Sequence, residues 1–177
     1  IDSELLLSKS LNLNREDILL NLNSIASQNQ IKIFFNKINK RLNKEPIAYI
    51  LGKKDFWKTN FTITKNVLIP RPETEIIVEQ ALKLIPQFSQ KNILDIGTGS
   101  GCIIISILLE RKKCIGTAID ISKEAIKLAK YNAKMQHVGN RLDLKNLDID
   151  NFFSKKYDLI VSNPCLLYTS QSPRDQS

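Results

Sequence analysis

The stretch Asn92-Ile93-Leu94-Asp95-Ile96-Gly97-Thr98-Gly99-Ser100-Gly101-Cys102 decides how this chain is read. Ile93, Leu94 and Ile96 suit a buried strand, and the mainly apolar run at 102–109 that follows can form a helix. Gly97, Gly99 and Gly101 lie between them at alternating positions. Glycine has no Cβ, so the backbone can turn sharply and a ligand can approach it closely. The first N–H groups of a helix have no intrahelical partner and point at such a ligand. Strand, glycine loop and helix together form a nucleotide-type site at the carboxyl end of a parallel sheet. On the turn alone, a plain tight connection between strand and helix is an equal reading.

The spacing is Asp-x-Gly-x-Gly-x-Gly, not the Gly-x-Gly-x-x-Gly of dinucleotide binders. Asp95 stands two residues before the first glycine, where a carboxylate repels a pyrophosphate and suits a cation. The next strand, at 116–119, ends in Asp120, which is placed to accept ribose hydroxyls. S-adenosylmethionine carries an ammonium, a sulfonium and a ribose, and no phosphate. It fits the two acids, and with the glycine spacing it is the expected cofactor.

Working outward, the 177 residues are enough for one domain of ordinary size, or a small domain with part of a larger one. Apolar residues make up 42%, which is adequate for a core. No apolar run approaches the ~20 residues of a membrane-spanning helix. The start, Ile1-Asp2-Ser3-Glu4, has no secretory pattern and no Met, so the natural amino terminus is expected upstream. Cys102, Cys114 and Cys165 have neither metal nor disulfide spacing, which suits a reducing cytoplasm. Net charge is +8, with a modest cluster of Lys37, Lys40, Arg41, Lys44, Lys53, Lys54 and Lys58. Such a surface fits a phosphate-rich partner, but the chain is crowded with Lys, Asn and Ile throughout, so compositional bias is the preferred reading of the charge.

Residues 4–45 read as helical. Leu5, Leu6 and Leu7 open one segment. Asn14 can cap a second that presents Ile18, Leu19 and Leu22, and Ile31, Ile33, Phe34, Ile38 and Leu42 mark a third. Glu45-Pro46 ends this region. Between Tyr49 and Ile69, Phe56, Trp57, Phe61, Ile63 and Val67 suggest a hairpin turning at Thr59-Asn60. Pro70-Arg71-Pro72-Glu73-Thr74-Glu75 then opens a helix that Pro86 stops. Strands are expected near 92–96, 115–119, 142–147 and 157–162, alternating with helices near 101–110 and 122–136. That order predicts right-handed crossovers and a parallel sheet.

The last strand ends in Ser162-Asn163-Pro164, beside the glycine loop. An Asn side chain offers both an acceptor and a donor, and a proline carbonyl comes without an N–H on the same residue. Together they can grip an amino group by its hydrogens. An Asn-Pro turn that merely ends a strand is the alternative. His137 follows a helix and reads as a surface cap.

At this point the chain resembles the protein-(glutamine-N5) methyltransferases of the PrmC/HemK type, which modify peptide-chain release factors. The resemblance rests on Glu45-Pro46-Ile47-Ala48 with the flanking residues 43–52, on Asp55-Phe56-Trp57, on Leu68-Ile69-Pro70-Arg71-Pro72-Glu73-Thr74-Glu75, and on 95–101. It implies a Rossmann-like class I methyltransferase sheet, incomplete here, preceded by a small helical domain and a β-hairpin linker. The expected division is a helical domain at 1–46 for substrate recognition, the hairpin linker at 47–70, the methyltransferase domain at 71–164 and an off-pattern tail at 165–177. The family's Asn-Pro-Pro-Tyr reads Asn163-Pro164-Cys165-Leu166 here, and Tyr168 comes two places too late. The tail after Pro164 is therefore read as foreign to the fold, and this chain as an inactive piece of an active enzyme.

The resemblance also implies roles. Gly97, Thr98, Gly99, Ser100 and Gly101 cradle the methionine part of S-adenosylmethionine, with Asp95 near its ammonium. Asp120 holds the ribose, and Asp150 or Asn151 flanks the adenine. Asn163 and Pro164 hold the glutamine amide of a Gly-Gly-Gln loop, with Arg71 and Thr74 bordering the substrate channel. No metal is expected. The release factor is the expected partner, with no membrane and no direct nucleic-acid binding, in a cytoplasmic monomer. The alternatives are an amino-methyltransferase acting on DNA or RNA bases, which also reaches a flipped amino group, and a non-catalytic fragment.

Overall fold

The computed structural model describes residues 2–20, 25–152 and 156–164. The expectations for Leu22, for Cys165 and Tyr168, and for the tail at 165–177 lie outside the described residues. The chain divides into two compact units between Pro70 and Arg71.

The first unit opens with helices α1 (Asp2–Leu11), α2 (Arg15–Leu20) and α3 (Gln28–Leu42). Ser27 starts α3 with a capping box: its hydroxyl accepts from Gln30 N, and its own N–H donates to the Gln30 side chain. Leu6 is the fully buried anchor of α1, whereas no residue of α3 is buried. Arg41 meets Asp2 at 2.7 Å, but both side chains are more than two-fifths exposed, so the pair contributes under ~1 kcal/mol. Burial, with Lys9 and Lys40 close by, pulls the Lys37 ammonium below its ordinary pKa.

One expectation within 47–70 needs correction, the position of the hairpin turn. Before the hairpin, residues Ile47–Leu51 form a short helix, α4. Gly52 closes it with φ +72°, its N–H donating to Ala48 O. The hairpin strands are β1 (Lys53–Phe56) and β2 (Thr59–Thr62), so the turn is Trp57-Lys58, not Thr59-Asn60. The register is set at the open end, where Ile63 N–H donates to Gly52 O at 3.0 Å. Counting in from that anchor pairs Asn60 with Asp55 and leaves Trp57 to take a left-handed φ of +56°. The turn preference of Asn60 thus yields to the ladder. Phe56 and Phe61 pack edge to face at 6.1 Å beneath the hairpin.

The second unit starts with a 3₁₀ turn, Pro72–Thr74, leading into α5 (Glu75–Leu84). Then come β3 (Asn92–Ile96), α6 (Cys102–Glu110), β4 (Ile115–Asp120), α7 (Lys123–Met135), β5 (Leu142–Asn146) and β6 (Leu159–Ser162). The four strands form one parallel sheet in the order β5-β4-β3-β6. This is the parallel sheet read from the strand–helix alternation, and the Rossmann-like sheet that the resemblance implies. The last strand starts two residues later than expected, because Asp158 turns back at its foot. The Asp158 carboxylate accepts from Lys91 Nζ and Asn92 N, both at 2.8 Å, and the lysine holds its pKa below the usual carboxylate range.

Helix α6 packs between α5 and α7 and against β3 and β4, and its residues 102–108 are all buried. That explains its run of Ile and Leu, interrupted by the buried Ser106, which has no polar face to spare. At its far end Arg111 donates to Ile85 O and Leu82 O, at the carboxyl end of α5. Arg141 does the same for Leu108 O and for Cys114 O in the following turn. The chain runs outward from β3 to β5 and then crosses back to place β6 on the other side of β3. The strand order therefore reverses between β3 and β6, the place where open α/β sheets form a ligand crevice at the carboxyl ends of their strands.

Candidate active site

The loop between β3 and α6 takes left-handed φ values at all three glycines: +69° at Gly97, +57° at Gly99 and +81° at Gly101. Gly97 and Gly101 need glycine for different reasons. A Cβ on Gly97 would meet nothing within 4 Å, so that side of the loop faces open space. A Cβ on Gly101 would lie 2.8 Å from Ile105 Cδ1 and 3.2 Å from Ala129 Cβ. Gly97 leaves room for a ligand, and Gly101 lets the helix start close against α7.

The loop is tied down on every side. Gly97 N and Thr98 N both donate to Ile119 O on β4, at 2.9 and 3.1 Å. Gly99 N donates to Asp120 Oδ2 at 2.9 Å. Ser100 O accepts from Asn132 Nδ2 at 2.9 Å. Asn132 was missed in the sequence. It stands at the fourth place of the buried stripe Ala125, Leu128, Ala129, Asn132, Ala133, and a lone amide in such a stripe is the signal that could have found it.

Asp95 is 0% exposed. Its Oδ2 accepts from the Thr98 hydroxyl at 2.7 Å, and its Oδ1 is buried with no hydrogen-bond partner among the described residues. Burial, with repulsion from Asp120 in addition, pushes its pKa up to about 7. Thr98 and Ser100 are 5% and 3% exposed, so their side chains build the loop from beneath. Burial pushes the Cys102 thiol up to about 12, so this cysteine is a packing residue.

Asp120, at the tip of β4, reaches the crevice already holding two backbone groups: Gly99 N on Oδ2 and Ser122 N on Oδ1, at 2.9 and 2.8 Å. Each oxygen keeps a further acceptor site. Asn146 on β5, also missed in the sequence, braces this tip by donating to Asp120 O and Ile121 O. Asp150 and Asn151 sit in a 3₁₀ turn, Ile149–Asn151, beyond β5. Both are exposed, and their N–H groups donate to Asp148. They share the carboxyl edge of the sheet with Asp120 but make no bond to it or to the glycine loop.

On the other side of the loop, Ser162 pairs in register with Ile96, and its hydroxyl donates to Ile96 O at 2.9 Å. Asn163 therefore emerges beside Gly97, and both Asn163 and Pro164 are exposed. Asn163 Nδ2 donates to Thr74 Oγ1 at 3.1 Å, bringing the Pro72–Thr74 turn to the tip of β6. Thr74 is buried, so its hydroxyl reaches the crevice only through Asn163; Arg71, three residues earlier, is exposed. His137 is exposed just past α7, at φ +57°. No cluster of metal-ligating side chains occurs among the described residues.

Residues 74–173 match the methyltransferase small domain family, and residues 1–52 match the PrmC N-terminal domain. Release factor glutamine methyltransferase of Caulobacter vibrioides is 38% identical over 165 residues, covering 93% of this chain and 57% of that protein. Its counterpart in Leptospira interrogans is 40% identical over 169 residues, covering 93% and 59%. A bifunctional methyltransferase of Rickettsia bellii is 36% identical over 200 residues, covering 98% of this chain and 36% of its own length. The chain thus spans less than three-fifths of each of these relatives. With over half its length matched, the chain belongs to the methyltransferase small domain family.

Proposed function

We propose that this protein binds S-adenosylmethionine and directs methyl transfer to the side-chain amide nitrogen of glutamine in the Gly-Gly-Gln loop of a peptide-chain release factor. The observation that carries the reading is Asp95 Oδ1, buried and without a hydrogen-bond partner among the described residues, beneath a loop whose glycine opens onto free space. A dry, orphaned carboxylate oxygen is costly alone and suits a cation. The names of the Caulobacter and Leptospira relatives support the acceptor.

The chain's own residues divide the work. Asp95, as carboxylate, holds the ammonium. The further acceptor sites of Asp120 take ribose hydroxyls, and the turn with Asp150 and Asn151 borders the adenine. When bound, S-adenosylmethionine supplies an electrophilic methyl group on a sulfonium. An amide nitrogen is a poor nucleophile, because its lone pair is delocalised into the carbonyl. Asn163 Oδ1 and the Pro164 carbonyl accept its two N–H groups, orient it and favour pyramidalisation. No general base is needed beforehand, because the nitrogen gives up its surplus proton to water once it carries the methyl group, and catalysis is positioning plus electrostatics. Arg71 borders the channel. No helix among the described residues is long and apolar enough to cross a membrane. A monomer working in the cytoplasm, beside the translation machinery, belongs to the same proposal.

The test offers labelled S-adenosylmethionine and a release factor to the protein at its full natural length. Label is expected on the wild-type factor and not on one whose Gly-Gly-Gln glutamine is replaced by alanine. Label on DNA or RNA instead would move the acceptor to a base amine.

A further inference from the structure

Thr74 holds the position before α5 where a threonine hydroxyl ordinarily accepts from a first-turn N–H. Here it does not: its φ is −64°, its ψ is −21°, and it makes no side-chain cap bond. The hydroxyl of this residue, 6% exposed, instead meets Asn163 Nδ2 across 89 positions of sequence. Asn163 Oδ1 accepts no hydrogen bond among the described residues. Pro164 has no N–H to offer it. An unrestrained Asn side chain turns about its last bond and presents either its oxygen or its nitrogen.

We infer that Thr74 is a positioning residue, whose buried hydroxyl holds the Asn163 carboxamide with Nδ2 inward so that Oδ1 faces the acceptor amide. The inference rests on the proposed reading of Asn163. An acceptor –NH2 presents two donors, so the group that grips it must present an oxygen; a flipped carboxamide would set N–H against N–H. The Pro72–Thr74 turn thereby acts on the acceptor without touching it. This gives the threonine of the Pro70–Glu75 segment a task that helix capping does not explain. A hydroxyl can also donate, so a flipped amide could bond Thr74 through Oδ1, and the experiment must separate the two orientations.

Thr74→Val keeps the shape and removes the hydroxyl, whereas Thr74→Ser keeps the hydroxyl. In the protein at full natural length, Thr74→Val is expected to lower kcat about 100-fold. The dissociation constant for S-adenosylmethionine and the melting temperature should stay near wild type. Thr74→Ser should recover kcat to within about threefold. A Thr74→Val enzyme as fast as wild type, or a folded Thr74→Ser enzyme as slow as Thr74→Val, overturns the inference while leaving the acceptor assignment standing. A wild-type protein that labels no release factor overturns the acceptor assignment instead. Side-chain amide exchange by ¹H–¹⁵N NMR then decides the latch itself. One protected Asn163 Nδ2 proton, lost in Thr74→Val, supports it. Two protons exchanging as fast as those of exposed Asn29 refute it.

Discussion

β3 and β6 end side by side, yet their tips are built differently. At the end of β3, Asp95, Thr98 and Ser100 are buried, and backbone or side-chain bonds fasten the loop to β4 and α7. At the end of β6, Ser162, Asn163 and Pro164 are exposed, and among the described residues two side-chain hydrogen bonds hold the tip. One tip is a finished, dry cradle and the other is an open ledge. A small ligand of fixed shape is best met by a rigid, desolvated site, because little ordering remains to be done on binding. A ledge that admits a loop of another macromolecule must stay accessible.

The contrast is broken most sharply at Asp95. Its folded pKa is raised from 3.8 to about 7, so the folded state holds the proton more tightly than the unfolded chain. The contribution of this group to stability should therefore be fully present at low pH, be lost as pH rises from 3.8 to about 7, and stay level above that, a swing of up to about 4 kcal/mol. Denaturant titrations across this range should show the slope, and Asp95→Asn should flatten it. An unchanged slope in the variant would mean that Asp95 is not the dry group described here.

Gly101→Val comes next. It sets a β-branched side chain at φ +81° and against Ile105, and should cost about 3 kcal/mol by chemical denaturation. Asn132→Leu should cost about 2 kcal/mol, because Ser100 O loses its buried donor. It should also loosen the cradle, which calorimetric titration with S-adenosylmethionine would register as weaker binding. Ser162→Ala marks the small end: its bond to Ile96 O lies at an exposed tip, so the loss should stay under ~1 kcal/mol. A Ser162→Ala cost as large as that of Asn132→Leu would erase the distinction between the two tips.

Much of the cradle was legible because it is local. Asp95, the three glycines and the apolar start of α6 lie within fifteen residues, and period and backbone freedom act over that span. Asp120 was legible as the end of the next strand, but its two backbone bonds to Gly99 and Ser122 were not. Asn132 hid as a polar interruption of an otherwise apolar stripe. Helix α4 and the hairpin register escaped because Gly52 sets both, by closing the helix and by accepting from Ile63. Local turn preference at Asn60 cannot report a bond made at the opposite end of the hairpin.

From its residues alone, this chain specified an alternation of strands and helices, a glycine turn after the first sheet strand and an acid at each of two strand ends. Those follow from hydrophobic period and from the missing Cβ of glycine, which act between near neighbours. Only the folded sheet decided that Asp95 is sealed from water, with one oxygen unmatched among the described residues, and that Thr74 meets Asn163. Each of these depends on groups far apart in sequence being packed into the same dry space, where burial and pairing are settled together.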